Sequence, residues 1–255
     1  MTADARHWNH VLIGAWERLH RFGANERALG LLQAVWPQPD PAQWSRASLG
    51  QRDACLFALH EALFGGRLQT TAACPACGER LESQLRVAEL CGEPPRELPQ
   101  PPAPQRLEYR DYRIEYRLPD SDDLRHLPPA HGGEDALDAA VAALLRRCVL
   151  SAQRRGRELD ADAPLPPALV ERLCERMAQD DPLADLQLAV QCPACAHQWS
   201  AAFDIGAYLW EELDDWVQDL LSQVHALARH YAWSERDILD LSPVRRRFYL
   251  DLVQA

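Results

Sequence analysis

The sequence predicts an α+β fold that is mostly helical, with a discontinuous zinc-ribbon-like pair of β-hairpins and a small inserted α/β segment. Three observations predict it. Apolar residues recur at helical spacing over long stretches near both ends of the chain. The tetrapeptide Cys-Pro-Ala-Cys occurs twice, in "TAACPACGERLESQLRVAEL" from Thr71 and in "LAVQCPACAHQW" from Leu188, each time followed by strand-like alternation. Between the copies lie 114 residues, which begin with a proline-rich run and go on to short alternating and helical patterns.

Taken in order, Trp8, Leu12, Ala15, Trp16 and Leu19 share one helical face. Ala28, Leu31, Leu32 and Val35 share another, so residues 8–36 read as two helices broken near Phe22-Gly23. Pro37, Pro39 and Pro41 mark a loop. Ser48 stands three residues before Gln51, the spacing of a capping box, and opens a helix that stops at Gly65-Gly66. "GRLQTTA" reads as a strand. After the first tetrapeptide, Leu81, Ser83, Leu85 and Val87 alternate with polar residues, which places the cysteines at a hairpin tip.

"GEPPRELPQPPAPQ" (92–105) has no period and reads as a semi-rigid linker. Tyr109 to Tyr116 predict a short hairpin or one bent strand, and "PDSDDL" supplies turn and cap residues. "GEDALDAAVAALLRRCVL" (133–150) predicts a helix, "SAQRRGRELDADAPLPP" a loop or ragged hairpin, and "ALVERLCERMAQDDP" a helix ended by Pro182. The second cysteine segment then repeats the first. Leu186-Gln187 precede Cys192 at the offsets by which Leu68-Gln69 precede Cys74, and Trp199, Phe203 and Ile205 match Leu81, Leu85 and Val87. From 206 onward the chain reads as helix, with Leu209, Leu213, Trp216, Leu220, Val224 and Leu227 as its stripe. Ser234 and Ser242-Pro243 open two further helices. The expected organisation is a helical region at 1–66, hairpins at 67–91 with 185–206, a linker and inserted α/β segment at 92–184, and a helical region at 207–255.

Composition bounds the chemistry. The formal net charge is −11, and all 27 basic residues are arginine. Such acidity opposes non-specific binding to nucleic acid or anionic membranes. No apolar run is long enough to cross a bilayer, and the first residues do not form a signal peptide, so a reducing bacterial cytoplasm is expected. In that compartment eight cysteines are a poor disulfide framework. Cys55, Cys148 and Cys174 fall in helical apolar patterns and read as core residues; Cys91 follows the first hairpin and is less defined.

Two thiolates two residues apart around a tight turn grip one cation, and two such tips complete a tetrahedral site. Cys74, Cys77, Cys192 and Cys195 are therefore the expected ligands of a structural Zn²⁺. Four sulfurs fill the sphere and leave no place for water or substrate. Closing the long loop costs only about 0.6 kcal/mol more per doubling of length. Zinc binding in small domains contributes roughly 10–16 kcal/mol in apparent terms and outweighs it. Gly78 follows the first tip, where a left-handed residue is often needed. Ala196 stands at the matching place in the second, so that turn either differs or is strained by about 1–2 kcal/mol.

Other chemistries fit less well. In thioredoxin-like Cys-Pro-x-Cys motifs the first cysteine begins a helix, whereas strands follow here. Zinc deaminases need His-x-Glu and a proline before the cysteine pair, not within it. A zinc ribbon that binds nucleic acid as a regulator is the alternative function, set against the net acidity. His60-Glu61 lacks the second histidine of a metalloprotease. His197 could compete as a ligand. No phosphate loop or nucleophile elbow is present, so no enzyme is expected.

"RDACLFALHEALFG" from Arg52, the two tetrapeptide hairpins, "DPLADLQL" from Asp181, "LWEEL" from Leu209 and "HALARHYAWSERDILDLSPVRRRFYLDLV" from His225 together resemble the T4-type baseplate protein family, often labelled baseplate hub assembly chaperone. Its members occur in contractile-tailed phages and phage-tail-like contractile injection systems. The resemblance implies a non-enzymatic structural or assembly protein whose partners are baseplate hub, spike or tape-measure proteins. It also implies a zinc site at the four cysteines, with Ala196 departing from the family's usual glycine. Trp210, Trp233, Phe248 and Tyr249, with Arg245 and Arg246, are the expected docking surface, since aromatics and arginine dominate interface hot spots. The competing expectation is that the aromatics pack onto the zinc hairpins.

Overall fold

The computed structural model describes residues 5–254 apart from 39, 41, 94, 96–99, 129–132, 161 and 162. The proline loop after residue 36, the linker at 92–105 and the stretch at 151–167 fall partly outside the described residues. The chain divides into two compact units, Met1–Pro39 with Gly206–Ala255, and Asp40–Ile205.

The first unit opens with α1 (Ala5–Leu19) and α2 (Ala24–Val35), which break at the expected Phe22-Gly23. Leu12, Ala15, Ala28, Leu31 and Leu32 form their buried faces. Each fully buried leucine contributes about 1.5–3 kcal/mol from removing apolar surface from water.

The second unit carries the cysteines. It begins with α3 (Ala42–Arg46), a single turn the sequence pattern did not distinguish from loop, and α4 (Leu49–Phe64). Ser48 and Gln51 make the expected reciprocal capping box, and Gly65, at φ +93, ends α4. Strands β1 (Arg67–Ala73) and β2 (Arg80–Arg86) pair antiparallel, with Leu68 opposite Leu85 and Ala72 opposite Leu81. Val87 does not continue β2. Its N–H closes the ladder on the Gly66 carbonyl at 3.1 Å, and its side chain is buried at the start of α5 (Val87–Cys91).

The inserted segment is a four-stranded antiparallel sheet in the order β3 (Gln105–Tyr109), β4 (Tyr112–Tyr116), β5 (Val149–Arg154) and β6 (Arg157–Glu158). Thus Tyr109 to Tyr116 form a hairpin rather than one bent strand. At the β5–β6 turn, Arg155 (φ 52) and Gly156 (φ 77) both take the positive values that tight hairpin turns favour. The short helix α6 (Ser121–Arg125) and α7 (Glu134–Cys148) lie between β4 and β5 in the chain, and α8 (Pro167–Asp180) follows β6. The helix expected over 133–150 ends two residues early because Val149, which is β-branched, begins β5 and Leu150 follows it into the sheet. Leu107, Ile114, Tyr116, Leu145, Cys148, Leu169, Leu173 and Met177 form the core here.

A 3-10 turn (Pro182–Asp185) leads into β7 (Gln187–Gln191) and β8 (Gln198–Ala202), paired antiparallel with Val190 opposite Trp199. The long α9 (Ile205–Tyr231) returns the chain to the first unit, which closes with α10 (Glu235–Leu239) and α11 (Pro243–Gln254). Ser234 caps α10 in a box with Asp237. The fold is α+β and mostly helical, with a discontinuous zinc-ribbon-like pair of hairpins and an inserted α/β segment. Among the described residues no helix is long and apolar enough to cross a membrane.

Candidate metal centre

What brings two hairpins together across more than a hundred residues starts in the elements that precede them. The N-terminus of α4 packs on the 3-10 turn. The N–H of Gly50 donates to Asp181 Oδ2 at 2.9 Å, which places a carboxylate at the positive end of the helix. The contact requires glycine. A Cβ on Gly50 would lie 2.0 Å from Asp181 Oδ1 and 3.1 Å from the backbone nitrogen of Ala184. Because α4 feeds β1 and the 3-10 turn feeds β7, this contact starts both hairpins from one place. Phe57 of α4 also stacks on Phe203, just after β8, at 6.1 Å between centroids. Gly50→Ala is expected to cost about 1–3 kcal/mol through overpacking and to weaken metal retention. Chemical denaturation with metal analysis checks both.

The two tips have the same backbone. Cys74 N–H donates to the Glu79 carbonyl at 2.8 Å and Gly78 N–H to the Cys74 carbonyl at 2.9 Å; Cys192 with His197, and Ala196 with Cys192, repeat the pair at 2.9 Å each. Gly78 has φ +77 and Ala196 φ +60. The second turn therefore keeps the geometry of the first, and Ala196 carries the strain. Ala196→Gly should stabilise the protein by about 0.5–1 kcal/mol, and Gly78→Ala, whose Cβ would meet open space, should destabilise it by a similar amount. Thermal melts of the two variants should move in opposite directions.

The four sulfurs of Cys74, Cys77, Cys192 and Cys195 all lie within 4.8 Å of one another. Across the two hairpins, Cys74 Sγ lies 3.7 Å from Cys195 Sγ and Cys77 Sγ 3.6 Å from Cys192 Sγ. A tetrahedral site with metal–sulfur bonds of about 2.3 Å places sulfurs roughly 3.8 Å apart, so the spacing fits one metal ion. None of the four is in a disulfide; Cys74 and Cys192 are buried, Cys77 and Cys195 exposed.

Ionisation in this cluster is uneven. Burial raises the Cys74 thiol, but the N–H groups of Cys77 and Ala76 together with the Cys77 and Cys195 thiols outweigh it and bring it down to about 7. At Cys77 the Glu79 N–H acts downward, yet the neighbouring thiols Cys195, Cys192 and Cys74, with burial, push it up to about 12. Four sulfurs around one point cannot all become anionic unless a cation sits among them.

The remaining candidates separate clearly. His197 lies outside the four-sulfur cluster; its ring stacks on Trp199 at 6.0 Å. His60 is a fully buried residue of α4. Burial pushes the thiols of Cys55 and Cys148 up to about 12, as suits core residues. Two residues of the expected docking surface are not surface. Trp210 is buried under the Arg27 guanidinium, 4.5 Å above its ring. Arg246 is buried on the inner side of α11 and donates from Nε to Gln223 Oε1 at 2.8 Å. Trp233, Phe248 and Tyr249 do come together, with Trp233 and Tyr249 edge to face at 4.9 Å and Phe248 5.7 Å from Tyr249. Arg245 is exposed beside them. Sequence reasoning missed two features, the Gly50–Asp181 contact and the exposure of Val244 and Leu252. The four-residue spacing of Val244, Phe248 and Leu252 marks them as one face of a helix but carries no signal that the face is exposed.

Compared with protein-family models, curated proteins and solved structures, the chain matches none.

Proposed function

We propose that this chain is a non-enzymatic structural or assembly protein of a contractile-tail or contractile-injection-system baseplate, held in shape by one structural Zn²⁺. The carrying observation is the closed cluster of four sulfurs, each pair within 4.8 Å. A sphere filled by protein thiolates offers no position to substrate, so the ion organises the fold and other surfaces do the work. Four thiolates also favour zinc over the hard cations, which take oxygen ligands.

The baseplate setting rests on the resemblance carried by the hairpins and by residues 225–253. On that reading the protein acts in the bacterial cytoplasm during assembly, with incorporation into a phage or phage-tail-like particle as the alternative end point, and its partners are hub, spike or tape-measure proteins. The net charge of −11 sets it against nucleic acid and anionic membranes.

Two measurements test the proposal. Metal analysis of protein purified under reducing conditions should find one zinc per chain. Co-expression with baseplate hub, spike and tape-measure proteins should give a complex that survives purification. A metal-free protein with reactive thiols would point instead to a dithiol oxidoreductase, and a salt-sensitive shift of DNA in a gel to the nucleic-acid alternative.

A further inference from the structure

Val244, Phe248 and Leu252 are 82%, 61% and 53% exposed, and they are half of the large apolar side chains exposed among the described residues. The other three, Phe22, Leu137 and Leu150, stand in separate elements. On α11 the spacing of four residues advances each side chain by about 40°, so the three form one stripe roughly 12 Å long. The opposite side of the helix, marked by buried Arg246, faces inward. Contiguous exposed apolar side chains rimmed by polar residues mark interaction sites.

Phe248, in the middle of the stripe, has an aromatic cluster on one side. Phe248 rests 5.7 Å from Tyr249, which is held edge to face by Trp233 at 4.9 Å and by Tyr231 at 5.9 Å. Side chains fixed before binding lose less entropy when they bind. The borders of the stripe carry two exposed arginines and one exposed carboxylate, a net positive charge: Asp251 lies on the Arg247 side and, by helical rotation, nearer the stripe than Arg247. Arg245 and Arg247 are exposed and fall on opposite flanks of the stripe, in a chain whose net charge is −11.

We propose that α11 is a docking ridge for an acidic amphipathic helix of another protein, whose apolar face covers Val244, Phe248 and Leu252 while carboxylates on its two borders meet Arg245 and Arg247. This rests on the reading of the chain as a binding protein and names the chemistry of its partner. A second copy of this chain suits the surface less well. It offers one carboxylate of α11, Asp251, against the two arginines, between two bodies that each carry −11. A phosphate backbone would meet the arginines and leave three apolar side chains in water.

The test uses the full chain with its metal and a synthetic helical peptide of about 20 residues bearing a leucine stripe bordered by glutamate, beside a twin with lysine in place of glutamate. Fluorescence anisotropy should show the acidic peptide binding at least about tenfold more tightly than its twin. Phe248→Ser should weaken that binding by about tenfold or more, with melting temperature and metal content unchanged. The double variant Arg245→Glu, Arg247→Glu should reverse the preference between the peptides. Failure of the acidic peptide to bind, equal binding of both, or indifference to Phe248→Ser overturns the proposal. So does a dimer, seen by light scattering, that Phe248→Ser dissolves, or binding to anionic phosphatidylserine vesicles that the same variant abolishes. Metal content keeps the readings apart: lost binding with one zinc retained removes the ridge alone, whereas a metal-free parent chain removes the zinc-held fold.

Discussion

Replacing Cys192 with serine should release the metal and free both hairpins while leaving the inserted sheet folded. Cys192 is 1% exposed and lies 3.6 Å from Cys77. A hydroxyl at that place does not ionise to take over a thiolate's bond. The hairpins are anchored at their bases, by buried Leu68 and Val87 on one side and the Phe57–Phe203 stack on the other, but little besides the metal holds their strands and tips. Along β2 only Leu81 and Leu85 are half-buried and the other residues are exposed, and a two-stranded hairpin alone is marginal in water. The site as a whole is worth on the order of 10 kcal/mol in apparent terms, so losing one ligand of four removes several. The core of Leu107, Ile114, Tyr116, Leu169 and Leu173 includes none of the four ligand cysteines, so damage should stop at the hairpins. Hydrogen exchange should therefore speed up at 67–86 and 187–202 and stay slow in β4 and β5. Cys91→Ser, in the half-buried thiol just past the first hairpin, should keep the metal. Acid should act like the variant, because protons compete with the ion for thiolate sulfur and metal is lost as pH falls. Full metal content and unchanged hairpin exchange in Cys192→Ser would mean that the four sulfurs meet for some other reason.

The tips were legible in the sequence because their chemistry is local. A Cys-x-x-Cys turn fixes its own hairpin, and equal offsets of Leu68 and Leu186 from their tetrapeptides tied the two copies together before any coordinates. Helix boundaries that rest on caps, such as Ser48 with Gln51 and Ser234 with Asp237, were legible for the same reason. What depends on a distant partner was not. Asp181 reads as an ordinary residue beside Pro182 until Gly50 is set against it, 131 positions away. Trp210 reads as an interface aromatic until the Arg27 guanidinium lies over its ring. Arg245, Arg246 and Arg247 are identical letters, and only the rotation of α11 against its unit decides that the middle one is buried. Periodicity finds a stripe; it does not say whether water or protein covers it, and on α11 the answer was water.

Asp123→Asn should cost about 3 kcal/mol at neutral pH, from a residue the sequence marks only as part of a turn. The Asp123 side chain is fully buried. Arg117 grips it with two bonds of 2.6 and 2.7 Å, Arg147 Nε donates at 2.7 Å, and the Asp120 N–H donates at 3.0 Å. Burial alone would raise this carboxyl, but the hydrogen bonds of Arg117, the Asp120 backbone and Arg147 outweigh it and hold it at about 2. An amide keeps the shape and removes the charge, which leaves two guanidinium groups facing a neutral acceptor. Breaking a buried pair in this way costs about 3–5 kcal/mol, and partial exposure of both arginines argues for the lower figure. Because the folded value lies below the unfolded one, the carboxylate's contribution is complete above about pH 4 and drains away as pH falls toward 2. Urea denaturation of the parent and of Asp123→Asn should therefore differ most near pH 7, with the gap closing below pH 4. Arg147→Ala should cost less, since Arg117 alone keeps the two-bond grip. A gap that stays constant from neutral pH to pH 2 would mean that Asp123 acts through its shape and its cap on α6, and that the charge between the inserted sheet and α7 contributes nothing.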